Sequence, residues 1–325
     1  MNVVFNRPCK TPSNSSYTPA LSNSCSNFNP ITFSDTPLNP NIAHPDQENL
    51  AWLERFSQNT NVRETIHFSP ANGLPVASYT GLFECFDEKY HVSGMDFRGS
   101  WPDQALPARS FTWQHHADDL ISAIEKKHTQ PIIGMGHSLG ATVTLLAAVK
   151  RPELFSKIIA IEPATIPSAN LAIFYKHLPQ WLVFKLVPFI RKTHDRQRIW
   201  SSPQAFYDKY RTHPTYRLFT DRALKDYAQY GLKQRPGGDF ELAHDPTWES
   251  FNFRRAEYLW DILEKCRLPT LVLRAEHSYL YSQLQFDQRN TKLAANIQPQ
   301  TIPGAHHLVS HELPDLVADQ ILNWL

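Results

Sequence analysis

The stretch from Gln130 to Lys150 reads QPIIGMGHSLGATVTLLAAVK: an apolar run of β character, then Gly136-His137-Ser138-Leu139-Gly140, then a run of helical character. A serine at the centre of a G-x-S-x-G turn between strand and helix lies where two stretches of backbone crowd together, so the flanking positions must lack bulk. Glycine is scarce in this chain, 11 residues in 325, about half the usual share of ~7%. Each one is therefore expected to answer a backbone demand. Such a turn holds the Ser138 hydroxyl at the carboxyl edge of a sheet, beside the positive end of the following helix and the N–H of Leu139.

The rest of the chain supplies a frame for that turn. Short β-rich runs at Thr65 to Ser69, His91 to Asp96, Pro131 to Gly136, Lys157 to Ile161, Pro269 to Arg274 and Asn296 to Ile302 alternate with helical runs at Val76 to Glu88, Thr112 to Lys127, Leu139 to Lys150 and Pro314 to Leu325. Strands alternating with helices of this length predict βαβ units around a mostly parallel sheet of about six strands. A segment from about 165 to 260 breaks the alternation; it is mostly helical in character, crowded with aromatics, and reads as a cap inserted before the penultimate strand. Residues 1–60 read as a disordered or loosely packed extension rich in Asn, Ser, Pro and Thr, with a short helical segment around Asn49 to Phe56, and the domain proper as 61–325.

Composition excludes several classes of function. No run of about 18 uncharged apolar residues exists to span a membrane. Thirty-two Lys and Arg against 31 Asp and Glu leave no global basic field for nucleic acid. Cys9, Cys25, Cys85 and Cys266 form no C-x-x-C pair, which removes a disulfide scaffold and a zinc site together. The opening MNVVF is too short for a secretory signal, so a reducing, cytoplasmic location is expected.

A serine hydroxyl needs a base at neutral pH. Among 15 histidines, His307 stands out, after a strand and a P-G-A turn and before the last amphipathic helix; His306 is its rival in the doublet. His311 stands four residues from His307 but has no acidic third ligand nearby, so a metal site is not expected.

Three further segments accompany the turn: Ser69-Pro70-Ala71-Asn72-Gly73-Leu74-Pro75, the MDFRGSWPD run from Met95 to Asp103, and the ending P-G-A-x-H-x-x-x-x-E-x-P. Six of the 11 glycines, Gly73, Gly99, Gly134, Gly136, Gly140 and Gly304, fall in these motifs. In this order they resemble the α/β-hydrolase superfamily, and within it a bacterial group of cap-bearing serine hydrolases with an A-N-G-x-P loop; the likeness runs from about Thr65 to Leu325. The resemblance implies an α/β-hydrolase fold and an oxyanion hole built from the N–H groups of Leu74 and Leu139, with Asn72 and Gly73 shaping the loop. One such donor is worth roughly 3 to 4 kcal/mol of transition-state stabilisation.

The resemblance also exposes a departure. Relatives place an aspartate after the strand that reads Pro269 to Arg274, where this chain has Ala275-Glu276-His277-Ser278-Tyr279. Glu162, at the end of KIIAIE, is the preferred substitute, because some cap-bearing relatives supply their acid from that strand end. Glu276 is the rival, and Asp287 or a dyad without an acid remain open.

The expected function is hydrolysis of carboxylic esters of small to medium apolar acyl groups, monoacylglycerol-like lipids included, through an acyl-enzyme on Ser138 with neither cofactor nor metal. A carbon–carbon bond hydrolase on the same residues and a catalytically weak ligand-binding protein are the alternatives. In the cap, Phe174, Tyr175, Trp181, Phe184 and Phe189 suggest an apolar lid over the serine. Fifteen Lys or Arg against eight Asp or Glu between Thr165 and Arg255 suggest an attraction for anionic substrates or weak contact with a membrane surface.

Overall fold

The computed structural model describes residues 52–55, 57, 59, 62 and 64–325. Its strands in chain order are β1 (Trp52–Arg55), β2 (Thr65–Ser69), β3 (His91–Met95), β4 (Ile132–His137), β5 (Phe155–Ile161), β6 (Ile199–Trp200), β7 (Leu232–Gln234), β8 (Phe240–Leu242), β9 (Thr270–Ala275) and β10 (Ile297–Ile302). Seven of them form one sheet in the order β1-β3-β2-β4-β5-β9-β10, parallel throughout except for β1, which runs antiparallel to β3.

Side-chain alternation along the central strands explains why they lie in the middle. Ile158 and Ala160 of β5 and Val272 of β9 join the apolar layer formed with helices Trp113–Lys127 and Leu139–Lys150. Ile159, Ile161, Leu271 and Leu273 are one residue out of phase and equally buried on the opposite face. A strand buried on both faces reads as a continuous apolar run, and all six residues of β4 are buried.

The sheet has seven strands where the sequence predicts about six. The additional one, β1, lies inside the segment read as helical around Asn49 to Phe56 and as part of the 1–60 extension. A helix as short as Asn49 to Phe56 is unstable on its own, whereas the free edge of β3 offers a ladder, with Trp52 opposite Met95 and Arg55 opposite Val92. Trp52 packs its ring 4.9 Å from that of His67. The remainder of the extension lies outside the described residues, apart from Ser57 and Asn59. Similarly, Val76 to Glu88 is not one helix but a 3-10 turn at Val76–Tyr79 followed by a short helix at Thr80–Glu84.

The insert between β5 and β9 holds six helices between Ala169 and Phe253, together with a three-stranded antiparallel sheet in the order β6-β8-β7. Sequence reading anticipated helices there and missed this sheet, whose strands of two or three residues are too short to show a period. The insert's two ends are tied together, the Ile166 N–H donating to the Glu257 carbonyl at 3.3 Å and the Leu259 N–H to Thr165 Oγ1 at 3.0 Å.

Candidate active site

Five strand ends deliver the site, those of β2, β4, β5, β9 and β10, all at the carboxyl edge of the sheet. β4 ends at His137, and Ser138 follows with φ 54° and ψ −117°, a left-handed conformation in a residue that has a Cβ. Strain of this kind costs of order 1–3 kcal/mol and persists only where the surroundings enforce it. The enforcement here is close packing. A Cβ on Gly140 would sit 2.0 Å from the carbonyl oxygen of Ser69 at the end of β2, and one on Gly136 would sit 2.5 Å from the Gly140 carbonyl. Backbone bonds fasten the turn from β5: the Ser138 N–H donates to the Ile161 carbonyl at 2.9 Å, and the Ala164 N–H to the Ser138 carbonyl at 3.0 Å.

His307 lies against Ser138, with Nε2 at 2.9 Å from the serine Oγ. Its Nδ1 lies 3.0 Å from Oε2 of Glu162, which is fully buried at the end of β5. A carboxylate only accepts, so His307 Nδ1 carries the proton and Nε2 presents its lone pair to the Ser138 hydroxyl. Glu162 has a φ of 45°, a second strained residue. Its carboxylate also accepts from the Ala275 N–H at 2.6 Å and from the Ser278 hydroxyl at 2.9 Å. The Ser278 oxygen also accepts from the Leu280 N–H at 3.2 Å. Three donors converge on one buried charge, and that is what makes its burial tolerable. Serine therefore stands after β9, where the family resemblance implies an aspartate, as a donor to a carboxylate that arrives from the neighbouring strand.

The rival residues go elsewhere. Glu276 accepts from the Gly304 N–H at 2.7 Å and braces the P-G-A turn. Asp287 accepts from Gln283 on an exposed helix. His306 is exposed and pairs with Glu312. His311 is buried with its Nε2 2.9 Å from the Ser78 hydroxyl and its ring stacked on Phe219, and burial lowers its pKa to about 3.

The loop after β2 reaches the site over Gly140. Gly73 adopts φ +79°, and a Cβ there would meet the Glu249 carboxyl at 2.6 Å. Asn72 donates to the Glu249 carbonyl at 2.8 Å and accepts from Asn252 at 3.0 Å, so the insert's helix Pro246–Phe253 clamps the loop. Glu249 is itself held by Arg196 at 2.7 Å. The Leu139 N–H finds no acceptor among the described residues, as expected for the first turn of a helix. The Leu74 N–H differs from the sequence expectation of a free donor: it closes a turn onto the Ala71 carbonyl at 3.2 Å. On the same loop, the Val76 N–H donates to Asp96 at 2.6 Å, and burial pushes the Asp96 carboxyl up to about 7.

A chain of hydrogen bonds behind the serine escaped the sequence reading. The Ala71 N–H donates to the Tyr79 oxygen at 3.0 Å, that hydroxyl lies 2.9 Å from His137 Nδ1, and His137 Nε2 lies 2.7 Å from the His307 carbonyl. A carbonyl only accepts, so Nε2 is the protonated nitrogen, Nδ1 accepts, and Tyr79 donates. Every link thus has one direction, running from the loop after β2 to the backbone of His307. Burial, with the His307 ring nearby, holds the His137 pKa well below that of free imidazole. The available signal was a polar residue, His137, within a strand otherwise made of apolar residues and glycine.

The aromatic cap residues form no lid core over the serine. Phe174, Trp181 and Phe189 are 53%, 67% and 53% exposed. Ser138 and His307 are nonetheless buried. Tyr279, from the loop after β9, lies across the imidazole with ring centroids 4.8 Å apart.

Residues 68–320 match the sequence pattern of the alpha/beta hydrolase family, and the chain belongs to that family. The uncharacterized hydrolase YugF of Bacillus subtilis (strain 168) is 21% identical over 259 residues, 76% of this chain and 85% of that protein. The structure of E-2-(acetamidomethylene)succinate hydrolase superposes with a TM-score of 0.68 at 19% identity, covering 85% of this chain and 94% of the other. Carboxylesterase CesB from Bacillus subtilis superposes with a TM-score of 0.59 at 15% identity over 89% of this chain and 92% of its own. These neighbours share the fold, with its mostly parallel seven-stranded sheet flanked by helices, and no helix among the described residues is long and apolar enough to cross a membrane.

Proposed function

We propose that the protein is a serine hydrolase of carboxylic esters with small to medium apolar acyl groups, monoacylglycerol-like lipids among them. The observation that carries this reading is the unbroken hydrogen-bonded line Ser138–His307–Glu162, at 2.9 and 3.0 Å. Ser138 Oγ attacks the ester carbonyl carbon while His307 Nε2 takes the hydroxyl proton. The resulting imidazolium is held in register by Glu162, and the same proton is passed to the leaving alkoxide as the tetrahedral intermediate collapses to an acyl-enzyme. Water, deprotonated by the freed His307, then releases the acid. Every proton in this cycle is carried by side chains of the chain itself.

The negative oxygen of each tetrahedral intermediate is assigned to the N–H groups of Leu139 and Leu74. Leu139 is free to donate. The Leu74 turn bond, at 3.2 Å, is at the long end for N–H···O, and an oxyanion is a stronger acceptor than a carbonyl, so the N–H is shared once charge develops. Burial of Ser138 makes the insert the natural lid, and its exclusion of water strengthens both donors.

The test is turnover of p-nitrophenyl esters of graded chain length by wild type and Ser138→Ala, together with labelling by a fluorophosphonate. Hydrolysis and labelling that both vanish in Ser138→Ala are expected. Labelling at Ser138 with no ester hydrolysed at any chain length would point to carbon–carbon bond cleavage, and loss of both in the wild type would point to a binding protein.

A further inference from the structure

The insert's first three helices, Ala169–His177, Gln180–Leu186 and Pro188–His194, are anchored thinly. Each contributes one buried residue to the molecule, Ala172, Val183 and Ile190 respectively. Large apolar side chains on all three helices are left open. Ile173, Phe174, Trp181, Leu186 and Phe189 are all more than half exposed, five of the ten large hydrophobics exposed among the described residues and all within 17 positions. Single exposed apolar side chains need no explanation, but a contiguous group marks a contact surface.

Charge identifies what the surface contacts. From Pro163 to His194 the sequence contains no Asp or Glu and four Lys or Arg, namely Lys176, Lys185, Arg191 and Lys192. Lys176 is neutralised by Glu257 at 2.9 Å, and Arg191 faces Asp195 at 3.4 Å. Lys185 and Lys192 have no acidic partner among the described residues. A cavity of about 520 Å³ opens between the second and third of these helices, lined by Trp181 and Phe184 beside Lys185, Arg191, His194 and Asp195. An apolar wall is thus combined with Lys185, while Arg191 and His194 share Asp195. A second copy of the chain would set like charges against each other across such a face. A protein partner would need a continuous complementary patch, whereas a lipid surface accommodates separate protruding side chains.

We propose that this face docks the protein on an anionic lipid bilayer, with Phe174, Trp181, Leu186 and Phe189 entering the boundary between headgroups and acyl chains and Lys185 and Lys192 facing lipid phosphates. The inference stands independently of the hydrolase chemistry, because none of these residues touches Ser138, His307 or Glu162.

The test is sedimentation of the full chain with vesicles of phosphatidylcholine alone and of phosphatidylcholine mixed with phosphatidylserine. Binding at least ten-fold stronger to the mixed vesicles is expected, falling about five-fold for each of Lys185→Gln and Lys192→Gln. Trp181→Ala and Phe189→Ala should weaken binding to both vesicle types. These side chains are exposed, so unchanged thermal melts will show that the variants fold. Failure of the wild type to sediment with anionic vesicles overturns the proposal. So does equal binding to both vesicle types, or a concentration-dependent dimer in gel filtration that Trp181→Ala abolishes.

Discussion

Replacing Glu162 by Gln exchanges one carboxylate oxygen for an NH2 group in a pocket where both oxygens are already committed. Oε1 accepts from the Ala275 backbone N–H at 2.6 Å, a donor that cannot rotate, so the amide oxygen must stay on that side. The NH2 group then faces Ser278 and His307, where Oε2 had accepted at 2.9 and 3.0 Å. The Ser278 hydroxyl can turn and accept. His307 can accept only by moving its proton from Nδ1 to Nε2, which removes the lone pair aimed at Ser138. The substitution therefore preserves packing and installs the wrong tautomer, an effect worth about 10⁴ in turnover, or about 5.5 kcal/mol. The assay is kcat and KM on a p-nitrophenyl ester near neutral pH for Glu162→Gln, with Glu276→Gln as comparison. The expected outcome is a loss of at least about a hundredfold in kcat, with KM nearly unchanged, for the first, and little change for the second. A Glu162→Gln enzyme within about tenfold of wild type, or equal losses in the two variants, would refute the assignment of the acid.

Tyr79→Phe removes the hydroxyl that joins Ala71 to His137 and leaves a buried N–H and a buried ring nitrogen unpaired; a stability loss of about 3 kcal/mol in urea melts is expected, with kcat falling more than KM rises. Acid unfolding should come early. His67, His116 and His311 are depressed by burial to about 3, His244 to about 4, and His137 well below its free value. The unfolded chain takes up these protons near pH 6.5 and the folded one does not, so the stability is present above that pH and lost below it. Asp96 and Asp226, raised by burial to about 7 and about 6, oppose the trend. The depressed histidines outnumber the raised carboxylates, so stability in urea melts followed by circular dichroism should fall as pH drops from about 6.5 toward 4; a chain equally stable at both ends of that range would contradict this. Asp96→Asn tests the opposite sign: wild type loses stability as pH rises toward 7 and the variant does not, so the variant's advantage should grow between pH 5 and pH 8, by up to about 3 kcal/mol.

The sheet and its turn were legible because their constraints are local. The apolar runs of β4, β5 and β9 are buried on both faces and need no partner to announce themselves, and the glycines beside Ser138 mark a crowding that few other arrangements require. Glu162 was singled out by the resemblance, which implies an acid at that strand end, and its contact with His307 could not be read from the residues alone. What the sequence concealed depends on partners distant along the chain. Trp52–Arg55 is a strand because β3 has a free edge, Ser278 is a donor because a carboxylate arrives from β5, and the Leu74 N–H is turned inward by a single backbone bond. The cap aromatics misled for the same reason, since composition does not reveal which side of a short helix is covered.

The two bonds that close the insert, Ile166 to Glu257 and Leu259 to Thr165, bring its ends together immediately beyond the carboxylate that steadies His307. Everything between them as far as Asp245 is therefore, in engineering terms, a cassette, the helix Pro246–Phe253 being kept because it holds Asn72 of the loop after β2. Exchanging the part before that helix would leave the strand ends and the serine turn with their own ladder bonds. Chimeras that exchange substrate preference should cross over there, while a junction only four residues earlier would cut the chain at Glu162 and break its bond to His307.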